Sequence, residues 1–227
     1  MSRISEKIIV VQTRLAKAAN ISAKESNLPL LLAVSKTRNT EQIREAHACG
    51  LTHFGENYLQ EAVEKIEALQ DLNSIWHFIG AMQSNKTKEI ARHFDWVHTL
   101  DRLKIAQRLS EQRPPELDNL NLLIQINIDA EASKAGIPPN QLDELAKQIS
   151  DLPNVQLRGL MAIPAPRENP DAQLEVCRKI HSHFIQLQQH YPEVDTLSMG
   201  MSGDLEAAVQ AGSTLVRIGT DIFGPRN

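Results

Sequence analysis

The sequence predicts one α/β domain, a (β/α)8 barrel of the TIM type preceded by an extra N-terminal helix. Short apolar runs alternate with helical stretches from one end of the chain to the other. The runs are continuously apolar, which is typical of parallel strands covered on both faces. There are eight of them, enough to close a barrel, and 227 residues suit one such domain, expected over 1–227.

The eight strands are predicted at Leu30–Val34, Thr52–Gly55, Ile75–Ile79, Asp95–His98, Leu122–Asn127, Val155–Leu160, Thr196–Met199 and Thr214–Ile218. An open doubly wound sheet is the alternative, and it usually has a glycine-rich turn after its first strand. Here that turn is Ser35-Lys36-Thr37-Arg38, which contains no glycine. The turn therefore favours the barrel.

The extra helix is predicted over Ile4–Ala19, where apolar residues recur at helical spacing. Thr40 and Asp101 precede later helical runs and are residue types that cap helix N-termini. Gly50 and Gly212 follow helical runs, where a left-handed residue commonly ends the helix. The remaining helices are predicted over Glu41–Ala48, Leu59–Leu69, Lys86–His93, Arg102–Gln112, Gln141–Ile149, Ala172–His190 and Leu205–Ala211.

The composition argues against several classes of function. A net charge of −4 gives no basic surface for nucleic acid. The longest apolar run, Leu28–Val34, is far shorter than the roughly 20 residues of a membrane-spanning helix. The N-terminus does not resemble a signal peptide, and Cys49 and Cys177 have no partner at CxxC spacing. We therefore expect a cytoplasmic protein with reduced cysteines.

A lysine follows the first predicted strand, and functional groups of barrel enzymes lie at this end of the strands. Lys36 comes directly after LLLAV, so its side chain should begin inside the barrel mouth. Partial desolvation lowers the pKa of such an amine and makes it a nucleophile for an aldehyde or ketone. The alternative is an ordinary surface lysine.

The last two strand ends predict an anion site. Ser202-Gly203 precedes the helical run from Leu205, and Gly219-Thr220 follows the eighth strand. Unpaired backbone N–H groups in these two loops commonly bind phosphate in barrels. Taken singly, Ser202 is better explained as a helix cap and Gly219 as a turn, but their occurrence together in these two loops supports a phosphate site as well as the structural interpretation. A lysine nucleophile beside a phosphate site suggests either a phosphosugar aldolase or a pyridoxal phosphate protein.

Six sequence blocks decide between these two classes by resemblance. AVSKT, FGENYLQEA, WHFIG-x-x-QSNK, RGLMAI, LSMGMSGD and RIGTDIFG resemble those of the pyridoxal phosphate homeostasis family. Members of that family are single-domain proteins similar to the barrel domain of alanine racemase, a fold type III pyridoxal phosphate protein. The resemblance extends from about Leu32 to Gly224.

The resemblance implies pyridoxal 5'-phosphate (PLP) as cofactor and assigns binding roles to Lys36, Asn57, Met199, Ser202, Arg217, Gly219 and Thr220. Lys36 forms the Schiff base with the cofactor aldehyde, and Asn57 and Met199 lie against the ring. Ser202, Gly219 and Thr220 hold the phosphate. Arg217 faces the pyridine nitrogen, although a salt bridge on the barrel rim is an alternative.

An arginine at the pyridine nitrogen has a chemical consequence. Arginine does not give up its proton under ordinary conditions, so it leaves the ring nitrogen unprotonated. An unprotonated ring is a poor electron sink, which discourages carbanion chemistry on a bound amino acid.

Two further positions are compared with the family blocks. The third block has Ala81-Met82 where relatives usually have proline and leucine, and we expect a shifted loop there. Lys134 keeps the spacing of a family lysine and is a candidate for the cavity mouth, with a solvated loop lysine as the alternative.

Other polar residues are given structural interpretations. No metal site is expected, because the eight histidines lack carboxylates or cysteines at ligand spacing. The cluster Glu61, Glu64, Lys65 and Glu67 is interpreted as a solvated helix face. Tyr58 is expected on the outer side of a helix.

The resulting hypothesis is a monomeric PLP carrier with no or negligible turnover, whose possible recipients are PLP-dependent apoenzymes. The chain ends at Asn227, just after the last strand, so we expect it to lack the second domain that alanine racemase uses. The alternatives are a racemase-like enzyme, in which Tyr58 or a water supplies the second proton-transfer group, and a class I aldolase.

Overall fold

The computed structural model describes residues 3–21, 28–130 and 135–225, so Lys134 lies outside the described residues. Eight parallel strands pair in chain order, and the last pairs with the first to close a barrel. The predicted (β/α)8 fold with an additional N-terminal helix is confirmed.

The strands are short, and their bounds agree with the predicted runs to within two residues. They are β1 Leu30–Val34, β2 His53–Glu56, β3 Ile75–Phe78, β4 Trp96–Leu100, β5 Leu120–Ile126, β6 Val155–Ala162, β7 Thr196–Ser198 and β8 Leu215–Ile218. Nearly all of their residues are buried, as expected for a parallel sheet between helices and a filled lumen.

The helices of the described ranges are α1 Arg3–Ile21, α2 Thr40–Ala48, α3 Leu59–Ala68, α4 Thr87–His93, α5 Leu103–Gln112, α6 Leu142–Ser150, α7 Pro170–His190, α8 Leu205–Gln210 and α9 Thr220–Phe223. A short 3₁₀ helix, Pro139–Gln141, precedes α6. The sequence did not predict α9, because four residues are too few to show helical periodicity.

The predicted N-caps are wrong by one residue each. Asn39, not Thr40, caps α2: its side chain accepts from Gln42 N at 2.9 Å, and the Gln42 side chain accepts from Asn39 N at 3.2 Å. The cap of α5 is Arg102 rather than Asp101. At the start of α2, asparagine and threonine can both act as caps, and the reciprocal bond with Gln42 selects Asn39 over Thr40. The prediction for Gly50 and Gly212 is confirmed, with φ of 89° and 101°.

The hydrophobic core lies between the barrel and its helices. Its fully buried members include Phe54, Phe78 and Phe94 from the strands and loops and Ile43 and Ile90 from the helices. The extra helix α1 packs on α8 and α9 and so supports the segments that follow β7 and β8. None of the helices in the described ranges is both long and apolar enough to span a membrane.

Candidate active site

A cavity of about 310 Å³ opens at the C-terminal ends of the strands. It is lined by six of the seven predicted site residues, namely Lys36, Asn57, Ser202, Arg217, Gly219 and Thr220. The rest of its wall is mostly apolar and comes from Val34, Ile79, Met161, Ile163, Met201 and Gly203. The barrel thus gathers residues that lie as much as 184 positions apart in the sequence, from Lys36 to Thr220.

The structure does not bring the seventh residue, Met199, into this cavity. Its side chain is fully buried in the hydrophobic core. Consecutive residues of an extended segment point to opposite faces, and Ser198 faces the barrel interior, so Met199 points outward. Met161 and Met201 supply the thioether side chains of the cavity wall instead.

The turn that carries Lys36 is held by hydrogen bonds on both sides. Ser35 N donates to Gly55 O at 2.9 Å, and Thr37 N donates to the Glu61 carboxylate at 2.6 Å. Thr37 adopts a φ of 63°, a left-handed conformation that a β-branched residue rarely takes. The surrounding bonds therefore hold the half-buried Lys36 in a defined orientation at the cavity edge.

A buried ion cluster lies directly behind this turn. Lys65 Nζ donates to Ser35 O at 2.8 Å, to Glu56 Oε1 at 2.8 Å and to Glu61 Oε1 at 2.5 Å. Ser35 Oγ donates to the same Glu56 oxygen at 2.6 Å. Burial raises the pKa of Glu56, and the ammonium of Lys65 opposes that rise. The cluster ties α3 to the ends of β1 and β2.

Lys65 corrects the interpretation of α3 as having a wholly solvated charged face. Only 6% of its side chain is exposed, and it lies on the inner side of the helix with Ala62. The signal was present in the spacing, because Ala62, Lys65 and Leu69 recur at the interval of an inward-facing helix stripe.

Asn57 comes directly after β2, next to the buried Glu56, and faces the cavity. Its Oδ1 atom is buried without a hydrogen-bond partner in the described part of the chain. A Cβ atom at Gly80 would lie 2.0 Å from Asn57 O, so only glycine allows the β2 and β3 loops to approach this closely. The cavity wall therefore carries an amide that a ligand can satisfy.

The opposite wall of the cavity offers donors for an anion. Among the described residues, the backbone N–H groups of Ser202, Gly203 and Thr220 have no hydrogen-bond acceptor. A Cβ atom built at Gly203 would meet nothing within 4 Å, so the space above this turn is open. Unpaired N–H groups beside open space form a suitable site for a phosphate group.

An arginine from the extra helix supports this wall. Arg14 of α1 donates to Ser202 O at 3.0 Å, to Asp221 at 2.7 Å and to Glu206 at 2.8 Å. Sequence reasoning did not find Arg14, since its partners are roughly 190 to 210 residues away and no local pattern links them.

Arg217 forms the floor of the cavity. Nη1 donates to Ser198 O at 2.8 Å and to Ser198 Oγ at 2.7 Å, and Nη2 donates to Ala162 O at 3.0 Å. Burial lowers the pKa of Arg217 to about 10, so the side chain remains a cation at neutral pH. Within the described ranges no carboxylate pairs with it, so the rim salt bridge considered from the sequence is not formed.

Comparison with known proteins identifies the family. The model of the alanine racemase N-terminal domain matches residues 14–227. The pyridoxal phosphate homeostasis protein of Escherichia coli K12 is 51% identical over 230 residues, covering 100% of this chain and 98% of the relative. The protein of the same name from Pseudomonas aeruginosa is 52% identical over 231 residues, covering 100% and 97%. The chain belongs to the pyridoxal phosphate homeostasis protein family.

Solved structures of other proteins show the same fold. PipY of Synechococcus elongatus, solved with PLP bound, superposes with a TM-score of 0.85 at 35% identity, covering 98% of this chain and 100% of PipY. Alanine racemase of Corynebacterium glutamicum gives a TM-score of 0.68 at 18% identity and shows a common fold alone; this chain covers 60% of it.

The other residues considered from the sequence, Ala81, Met82 and Tyr58, lie outside the cavity. Ala81 is exposed and Met82 is buried, and neither lines the cavity. Tyr58 is 51% exposed, immediately before α3, and does not line the cavity either. The described ranges contain no group of three or more His, Cys, Asp or Glu side chains placed to hold a metal ion.

Proposed function

We propose that this protein binds PLP in the 310 Å³ cavity as a Schiff base on Lys36 and contributes to PLP homeostasis, with negligible turnover of its own. One observation supports the proposal most directly. A single cavity is surrounded by the Lys36 amine, the Arg217 guanidinium and the unpaired N–H groups of Ser202, Gly203 and Thr220. PipY, which is 35% identical, is solved with PLP bound.

The cavity suits an aromatic aldehyde that carries a phosphate. Its volume lies at the lower end of the roughly 300–1,000 Å³ typical of small-ligand sites. In the proposed arrangement Ser202, Gly219 and Thr220 hold the phosphate, and Asn57 and the apolar wall contact the ring. The Lys36 amine attacks the aldehyde carbon, a C=N bond forms and water leaves.

Arg217 supports the proposal of negligible turnover. It has five N–H donors and no acceptor, so it can only donate to the pyridine nitrogen and leave that nitrogen unprotonated. PLP acts on bound amino acids as an electron sink, and an unprotonated ring performs that role poorly. The alternative second acid, Tyr58, is exposed outside the cavity.

We further propose that the chain acts as one monomeric domain, in the cytoplasm, and that PLP-dependent apoenzymes receive its cofactor. Cys49 and Cys177 form no disulfide with each other, which fits a reducing compartment. The family name of the relatives supports a role in PLP homeostasis.

The test is the visible spectrum of protein purified without added cofactor. We expect a yellow absorption band that Lys36→Ala abolishes, and a pyridoxyl mass on the Lys36 peptide after borohydride reduction. Lys88→Ala, which removes an exposed lysine of α4, is the matched control and should retain the band.

Two results would contradict the proposal. A colourless parent that takes up no added PLP would favour the aldolase hypothesis, in which borohydride traps only a carbonyl substrate on Lys36. Steady loss of optical rotation from an L-amino acid, abolished by Lys36→Ala, would instead establish a racemase-like enzyme.

A further inference from the structure

Three histidines and a serine form a hydrogen-bonded series inside the barrel. His53 Nδ1 lies 2.8 Å from His77 Nε2, and His77 Nδ1 lies 2.9 Å from His98 Nε2. His98 Nδ1 lies 2.9 Å from Ser198 Oγ. His98 is on β4 and Ser198 on β7, strands that do not pair, so this contact crosses the lumen. The series, which we call the lumen chain, ends at Arg217.

The histidines of the lumen chain are expected to be neutral at pH 7. Burial lowers the pKa of His77 and His98 well below the ordinary histidine value, and that of His53 to a smaller extent. Arg217 is the cation that acts on His98, and Trp96 stacks on His77 at 5.4 Å. Among the described residues no carboxylate forms an ion pair with any member of the lumen chain. Each imidazole therefore has one N–H donor and one acceptor nitrogen.

Arg217 determines which nitrogen carries the hydrogen. Arg217 only donates, so Ser198 Oγ accepts from it and has its own hydrogen to donate to His98 Nδ1. His98 then donates through Nε2 to His77 Nδ1, and His77 donates through Nε2 to His53 Nδ1. The opposite direction would leave the buried Ser198 hydroxyl hydrogen without an acceptor, which is costly.

We propose that His98 is a positioning residue: by accepting from Ser198, it turns a lone pair of that hydroxyl toward Arg217 and so orients the guanidinium for a ligand ring nitrogen. His77 and His53 hold His98 in the required tautomer. Arg217, which lines the cavity, uses Nη1 and Nη2 in its bonds to Ser198 and Ala162, and its Nε–H group has no acceptor among the described residues. The inference rests on the proposed function for the identity of the ligand.

The first experiment needs no cofactor. A long-range ¹⁵N–¹H spectrum of the protein without PLP should show His53, His77 and His98 as neutral Nε2–H tautomers at pH 7. Ser198→Ala removes the donor to His98 Nδ1 and should give a mixture of tautomers at His98. Nδ1–H tautomers in the parent protein, or a charged His98, would overturn the inference.

The second experiment tests the effect on bound PLP. His98→Leu removes the acceptor, and we expect a shifted visible band and PLP affinity lower by about five- to tenfold, the effect of one lost hydrogen bond. His98→Asn can place an amide oxygen near the Nδ1 position and should restore the band. His190→Asn, at an exposed site on α7, is the control.

The outcomes separate the two proposals. If His98→Leu folds and keeps the band position and affinity of the parent, the positioning role is wrong. If it does not fold, Ser198→Ala takes its place, since Arg217 retains its bond to the backbone oxygen of residue 198. If the parent takes up no PLP, the proposed function fails and the positioning role fails with it. The histidine tautomers still show in which direction the hydrogen bonds of the lumen chain run.

Discussion

The two walls of the cavity are held in place by different kinds of interaction. The lysine wall, formed by the turn at Lys36 and the end of β2, rests on the desolvated pair Lys65–Glu56, whose side chains are 6% and 0% exposed. The anion wall, formed by the turns at Ser202 and Gly219, rests on Arg14, whose side chain is 30% exposed and whose partner Glu206 is 48% exposed.

This difference determines how each wall responds to mutation. Removing one member of a buried ion pair leaves an uncompensated charge in a medium of low dielectric constant, which is strongly destabilising. Solvent screens the exposed pairs of the anion wall, so losing one of them costs little free energy. Changes to the buried contacts of the lysine wall should therefore mainly lower the free energy of unfolding, and changes to the anion wall should mainly alter ligand affinity.

The largest effect is expected for Lys65→Met. The substitution leaves Glu56 buried without its cation, and we expect the free energy of unfolding to fall by about 3–5 kcal/mol, measured by urea denaturation. Lys179→Met is the matched control, because Lys179 pairs with Glu175 at 2.8 Å, the distance of the Lys65–Glu56 pair, but is 63% exposed. Its effect should stay below about 0.5 kcal/mol.

A double variant separates the charge effect from a packing effect. Glu56→Gln combined with Lys65→Met removes both charges of the buried pair, and most of the lost stability should return. Equal losses in Lys65→Met and Lys179→Met would show that the buried and exposed ion pairs do not differ, and the distinction between the two walls would fail.

Gly80→Ala should have the next largest effect, also on the lysine wall. The added Cβ would lie 2.0 Å from Asn57 O, which is backbone and cannot rotate away. Overpacking of this kind costs about 1–3 kcal/mol and should displace Asn57 from the cavity. We expect lower stability in urea and weaker PLP binding by spectroscopic titration. Parent-like values for both would show that the β2 and β3 loops are less tightly packed than described.

Much of the fold could be predicted because its information is local. Eight continuous apolar runs and the helical spacing of the intervening segments are properties of short stretches, and they determine the barrel. Six of the seven predicted site residues line the cavity, because the ends of barrel strands meet at one rim. The residue outside the cavity, Met199, adjoins a strand end, where a single step along the chain reverses the direction of the side chain.

The supporting residues could not be predicted, because their roles depend on long-range pairing. Arg14 reaches Ser202 across 188 positions, and His98 reaches Ser198 across 100. The pattern of apolar and polar residues within one segment does not indicate a hydrogen-bond partner this far away in the sequence. Lys65 is an intermediate case, since its helical spacing indicates an inward face while its charge suggests a surface position.

On the anion wall, Arg14→Ala should change stability by no more than about 1 kcal/mol, because its ion pairs are partly exposed. It removes the bond to Ser202 O, so the turn should be less well ordered and PLP should bind several-fold more weakly. The Lys36 absorption band should keep its position. Arg44→Ala is the control, because Arg44 forms an exposed pair with Asp71 remote from the cavity; an equal loss of affinity there would contradict the assignment.

Gly203→Ala should have the smallest effect on folding and is the strictest comparison with Gly80→Ala. The new Cβ meets no atom within 4 Å, so the free energy of unfolding should remain within about 0.5 kcal/mol of the parent. The same methyl group enters the open space beside the unpaired N–H groups, where it should hinder a bound phosphate. We therefore expect an unchanged urea midpoint together with weaker binding of PLP and of inorganic phosphate. An unchanged affinity for both ligands would contradict the assignment of the Gly203 turn to anion binding.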